Sequence, residues 1–284
     1  MLRTFSRVVC ALAMTSVAAA APPKPVQKPA AAAAKAPPKP AKQELDRWRR
    51  ALESGVESEI FAALAEISAL GPGGAPVAPL VDSLLAAGAS GAVLVRALET
   101  EGALAVPASS SAVAPYVSHR KPDIRRAAAA ALSRTGGPVA IAALRRALSG
   151  PDPQVRGIAA GGLGALGATE AVDDLFTVLG HDTAEAAVAI AKLCAPEQCD
   201  RLMALVGKLK FEVLEASFVP LLLRPTLPDA NKLRYIDRLR RLATKPAAAV
   251  LQTALAQIPK DTNPTLRAAL QTALKARPVV GDTK

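Results

Sequence analysis

The sequence predicts an all-α chain, an α-solenoid of about seven short helical hairpins, on three observations. Its 284 residues are 51% hydrophobic but only 3% aromatic, so the core must be built from Ala, Leu, Val and Ile. The chain repeats itself with a period of 30 to 31 residues, and such a period is the mark of a stacked array. Within each repeat, apolar residues recur at spacings of three and four, and breaks fall at Gly or Pro, which gives two helices per unit.

The amino terminus reads as an address followed by a spacer. Arg3 and Arg7 precede an almost unbroken apolar run, Val8 to Val17, and then the small residues Ala18, Ala19 and Ala20. That is the layout of a secretory signal peptide over residues 1–20, with an uncleaved anchor as the alternative; the run is short for a membrane span. Cys10 leaves with the signal. Residues 21–43 use almost only Ala, Pro and Lys, a composition that buries nothing and favours an extended, polyproline-like linker. No later stretch approaches the length of about 18 to 20 apolar residues that a transmembrane helix needs. The chain is therefore expected in the periplasm or cell envelope, or outside the cell, with no membrane span once the signal is removed.

Residues 44–55 form the next expected element, a capping helix on which Leu45, Trp48 and Leu52 share one face. The repeat array is expected over 56–277, with 278–284 as a disordered tail. The repeat is clearest where Pro122–Gly150 is laid over Pro153–Gly180. Ile124 then meets Val155, Arg125 meets Arg156, Ala128 meets Ala159 and Leu132 meets Leu163; Leu144 and Leu148 fall on Leu175 and Leu179. The first helix of a unit is expected to start at an aspartate N-cap, Asp152 or Asp182, with Pro153 in its first turn. The second carries Val172, Leu175 and Leu179, which fall on Leu202, Leu205 and Leu209 one unit later. Ala78-Pro79-Leu80 and Ala114-Pro115-Tyr116 mark first turns of earlier second helices. Asn263-Pro264-Thr265-Leu266-Arg267 repeats Asp152-Pro153-Gln154-Val155-Arg156 and marks a last first helix. Each pair buries one side only, so neighbours must cover the other, and the alanine runs let helix axes approach closely.

Asp152-Pro153-Gln154-Val155-Arg156, followed by Ala159-Ala160, Leu163-Gly164-Ala165-Leu166-Gly167 and Ala171 to Leu179, resembles the short HEAT repeats of the phycobilisome-lyase-like class. The resemblance implies a structural ladder of Arg and Asp between neighbouring first helices. It would carry over to Arg125, Arg156 and Arg267 with Asp123, Asp152 and Asp182. It also implies protein binding, with second helices lining the inner face. Some relatives attach or isomerise bilins, but the signal peptide and the lack of a convergent Tyr, His and Asp group argue against that chemistry here. Secretion and the few aromatic residues likewise disfavour the DNA-repair relatives.

Little in the chain points to catalysis, a metal or a cofactor, and none is expected. His119 and His181 fall at one repeat position two units apart, about 20 Å from each other by stacking distance. A shared ion needs both within about 2.1 Å, so both read as loop or capping residues. Ser109, Ser110 and Ser111 lack a base and read as an N-cap. Cys194 and Cys199 bracket a short turn and in an exported protein are expected as a disulfide, with free buried thiols or a redox pair as alternatives.

The net charge is +11, but residues 1–43 hold seven bases and no acid, leaving +4 for the rest and no domain-wide field for nucleic acid. On the helix from Asp229 to Ala243, with Leu233, Ile236, Leu239 and Leu242 inward, Arg234, Arg238 and Arg241 form a basic stripe. Arg145 and Arg146 make a smaller basic feature; Trp48 is expected to pack on the first unit, with a partner contact as the alternative. The sequence thus predicts an exported, non-catalytic scaffold for a protein partner of unknown identity. The alternative is an electrostatic binder of an anionic envelope polymer or membrane surface through the lysine linker and the basic helix face.

Overall fold

The computed structural model describes residues 41–259 and 263–275. The expected signal peptide, nearly all of the expected linker and the expected tail lie outside the described residues. Fifteen α-helices account for most of what is described. The expected capping helix is α1 (Lys42–Glu53), and seven helix pairs follow it.

The first helices of the pairs are α2 (Glu57–Ala69), α4 (Gly91–Leu104), α6 (Pro122–Thr135), α8 (Pro153–Leu166), α10 (Ala184–Leu193), α12 (Phe211–Leu223) and α14 (Lys245–Gln257). Each packs on the next, so they form one continuous row. The second helices are α3 (Ala78–Ala87), α5 (Ser110–Val113), α7 (Gly137–Ala147), α9 (Val172–Leu179), α11 (Pro196–Ala204), α13 (Asp229–Arg241) and α15 (Pro264–Lys275). The core lies between the rows, where Leu132, Leu144, Leu163, Leu175 and Leu179 are wholly buried. Each such side chain stabilises the fold by about 1.5–3 kcal/mol. Among the described residues no helix is long and apolar enough to cross a membrane.

Small residues set the spacing of the first row. A Cβ placed on Gly102 of α4 would stand 3.1 Å from the Cα of Ala131 on α6. One on Gly164 of α8 would stand 3.0 Å from the Cα of Ala189 on α10. At both seams backbone lies nearly against backbone, and this explains the alanine and glycine bias of the repeat.

Local signals account for many helix ends. Asp152 caps α8 as expected, its carboxylate accepting from the N–H groups of Gln154 at 2.9 Å and Val155 at 3.4 Å. Asp182 does not cap α10. It takes a left-handed turn at φ 57°, and Thr183 occupies the N-cap, because the loop here is one step displaced from that before α8. The serine cluster is not a cap either. Ser109 donates to Asp82 at 3.2 Å, while Ser110 reaches Thr135 and the carbonyl of Gly136, both at 2.8 Å.

Three further expectations are corrected. Ala114–Ser118 forms a 3₁₀ turn after the short α5, tied down by the Tyr116 hydroxyl donating to the Leu85 carbonyl at 2.6 Å. α11 ends at Ala204, so Leu205 and Leu209 fall in the following turn and only Leu202 keeps its buried place. The segment from Asn263 does repeat the cap of α8, with the Asn263 side chain accepting from Leu266 N–H at 2.9 Å. Yet α15 packs on α13 and α14, so it completes the seventh pair as a second helix.

Two alanine substitutions on one helix separate propensity from packing. Gly161 of α8 has nothing within 4 Å of a new Cβ, so Gly161→Ala is expected to stabilise by up to about 1 kcal/mol. Gly164→Ala must push α8 off α10 and is expected to destabilise by about 1–3 kcal/mol. Chemical denaturation of the two variants checks the opposite signs.

Candidate docking surface

The predicted ladder of first helices is realised in one rung. Arg125 donates to Asp152 at 3.2 Å, and Arg126, one position on, also pairs with Asp152 at 3.2 Å. Elsewhere the repeated arginine turns back on its own loop. Arg125 also donates to the carbonyls of His119 and Arg120, Arg156 to those of Gly150 and Pro151, and Arg267 to that of Ile258. A guanidinium suits this task, since its fork satisfies several loop carbonyls that no helix can pair. Asp123 is exposed and, among the described residues, meets only Arg126 at 3.8 Å, and Asp182 pairs with Lys210 at 3.0 Å.

A longer series of links runs along the second helices instead. The backbones of α7, α9 and α11 scarcely touch one another, and long side chains span the gaps. Arg145 of α7 pairs with Asp174 of α9 at 2.6 Å. Asp173 of α9 pairs with Arg201 of α11 at 3.1 Å, and the Arg201 guanidinium lies 4.0 Å from the ring centre of Phe176. Asp200 of α11 then accepts from Arg234, Tyr235 and Asn231 of α13, at 3.0, 2.6 and 3.3 Å. Asp229 of α13 accepts from Asn263 at 2.9 Å. Burial pulls the Asp200 carboxyl up, but the Tyr235 and Arg234 hydrogen bonds hold it below its ordinary value. The Tyr235 hydroxyl is pushed up to about 12, first by burial and then by the same carboxylate.

These links change the reading of the basic stripe. Arg234 is held by Asp200, Arg241 by Asp237 at 2.7 Å, and Arg238 donates to the carbonyl of Val206 at 3.1 Å. Arg240 shares Asp237 at 2.7 Å, and Lys232 is buried beside Asp229 at 3.2 Å. The stripe is an internally paired surface, because each arginine faces an acid or carbonyl that the sequence places on a neighbouring turn or helix. Tyr235 fills the core place expected of Leu233, which is only half-buried, as is Leu242. Trp48 is not a surface anchor. It is 4% exposed, and its indole N–H donates to Glu66 of α2 at 2.7 Å.

Between α7 and α9 the separation of second helices leaves a polar cleft of about 690 Å³, lined by Arg145, Arg146, Ser149, Asp174, Thr177 and His181. Arg145 is committed to Asp174, while Arg146 and His181 are exposed and, among the described residues, no ion pair engages either. His119 is a loop residue, its ring accepting from Lys121 N–H at 3.1 Å.

Cys194 and Cys199 form the expected disulfide, closing the turn between α10 and α11. Both are buried, and a closure of this length stabilises by about 2 kcal/mol on the chain-entropy estimate. Arg224, which the sequence reading passed over, lies against it. Its guanidinium donates to the Ala191 and Cys194 carbonyls at 3.0 and 2.6 Å and lies 3.3 Å from the Cys199 sulfur.

A buried carboxyl was also missed. Glu101 of α4 is fully buried, and neither of its oxygens has a partner. Its spacing from Leu94, Ala97, Leu98 and Leu104, on the apolar stripe of its helix, was the available signal.

Asp152 is the electrostatic joint of the first row. Burial opposes its charge, but the Gln154 and Val155 N–H groups, with Arg126 and Arg125, hold its carboxyl below the ordinary 3.8. The unfolded chain binds the proton more readily, so this stability is full above about pH 4 and is lost as pH falls through the lowered value. Asp152→Ala is expected to cost about 2–4 kcal/mol at neutral pH, with a smaller difference near pH 2. Urea midpoints at both pH values check it.

Residues 77–152 match the family model of HEAT repeats. No curated protein matches the sequence. Among solved structures, human deoxyhypusine hydroxylase in complex with glycerol is similar at 17% identity and TM-score 0.38, covering 82% of this chain and 95% of that one. An engineered protein is similar at 18% identity and TM-score 0.40, covering 81% and 95%. The chain carries HEAT repeats within an all-α solenoid.

Proposed function

We propose that the chain is an exported, non-catalytic scaffold whose second-helix row docks a protein partner in the cell envelope. The observation that carries this reading is the row itself. Its helices stand apart, are held in register by cross-unit links, and leave the α7–α9 cleft open with Arg146 and His181 exposed. A pre-set row of side chains suits a large partner, because little ordering entropy is lost on binding. Export rests on the signal-like residues 1–20, and assignment to the phycobilisome-lyase-like class rests on the motifs of residues 122–180. The electrostatic alternative is less favoured, since Arg234, Arg238 and Arg241 already have partners. What remains for it is the lysine linker.

Crosslinked capture from envelope fractions tests the proposal, with residues 21–284 and 41–284 as baits. The shorter bait starts at residue 41 to keep α1 whole. One protein retained by both at high salt, and lost with Arg146→Glu in a normally folded bait, is the expected result. Retention that needs the linker and disappears with salt would overturn it.

A further inference from the structure

The seam between the first two helix pairs contains a group that the docking function does not use. Glu101 of α4 is fully buried with both carboxyl oxygens unpartnered, and Asp82 of α3, half-buried, has one oxygen in the same state. The Ser109 hydroxyl donates to the other Asp82 oxygen at 3.2 Å, and the Asp82 charge acts on Glu101 across the same seam.

Among the described residues no positive charge acts on either carboxyl. α2 and the 3₁₀ turn Gly71–Val77 face α4 with Ile60, Leu64, Ile67 and Val77, and α6 faces it with Ala128 and Ala131. Arg134 of α6 is exposed and reaches along Gly102, and the charge acting on Glu101 is that of Asp82. Two charged carboxylates cannot be buried together without a donor. A divalent cation takes about six or more oxygens, and two carboxyls and a hydroxyl supply too few. Among the described residues no group of three or more His, Cys, Asp or Glu side chains converges. A proton is the occupant that fits.

We propose that Glu101 keeps a proton in the seam beside Asp82 and so acts as a latch between α3 and α4, which opens as the surroundings turn alkaline. Burial, then the charge of Asp82, raise the Glu101 carboxyl from 4.5 to about 8, and burial raises Asp82 as well. The folded state thus binds the proton more tightly than the unfolded chain. Stability from the latch is full below about pH 4.5 and is lost as pH rises through about 8. The opposite side of α3 gives this a structural consequence. Pro79, Leu80, Ser83 and Leu84 of α3 form one wall of a cleft of about 870 Å³, completed by Leu52, Ile60 and Val93. Repulsion between a charged Glu101 and Asp82 loosens that wall, so the cleft is coupled to pH.

Hydrogen exchange of peptides spanning residues 78–104, and thermal unfolding, between pH 6 and 9 test the latch on the full chain. Beyond the intrinsic base-catalysed rise, uptake should increase at pH 9, and the melting temperature should fall by on the order of 5 °C. Glu101→Gln should flatten both profiles. Asp82→Asn, which removes the repelling charge, should shrink the alkaline loss and serves if the first variant fails to fold. Parallel profiles for the parent chain and both variants would overturn the proposal, as would a parent chain that is stabilised at pH 9 by calcium.

Discussion

The close approach of successive first helices is the constraint on which the rest of the structure depends. At Gly102 against Ala131, and at Gly164 against Ala189, there is no room for a larger side chain without moving a helix. That spacing fixes the row α2, α4, α6, α8, α10, α12, α14. The second helices are attached to the row through the leucine layer between them. A solenoid of this kind gains stability from units and their interfaces, so one misfitted seam is felt by its neighbours.

Electrostatics plays a different part in each row. Between first helices, where backbones touch, there is space for few charged links, and Asp152 concentrates them. The repeated arginines there serve the loops, supplying donors to carbonyls left over at helix ends. Between second helices, charged side chains replace backbone contact: Arg145–Asp174, Asp173–Arg201 and Asp200–Arg234 span successive gaps. Partly exposed pairs of this kind add little stability singly. Their value lies in holding the spacing of the row, and hence the clefts, at small energetic cost.

The fold was legible in the sequence because periodicity, proline-led helix starts and the alanine bias all reported the same packing. Asp152-Pro153 and Asn263-Pro264 both start helices as their motif implies. The motif is local, however, and does not encode which row a helix joins, so α15 was assigned to the wrong one. Side-chain partners were less legible. Arg234, Arg238 and Arg241 form a stripe on a helical wheel, but their acceptors lie on α11, in the turn after it, or four residues back on the same helix. Trp48 was rightly expected to pack on the first pair, and its indole partner Glu66 lies on α2. Glu101 was missed because a glutamate between Thr100 and Gly102 reads as surface. Only its register with Leu94, Leu98 and Leu104 marks it as inward.

The central claim is that the second-helix row receives the partner. Hydroxyl-radical footprinting of the full chain, alone and with its captured partner, tests this most directly. The account predicts protection on Val139–Ala147 and Val172–His181, with first-helix surfaces unchanged. Protection confined to the lysine linker, or to exposed faces of α6, α8 and α10, would contradict it.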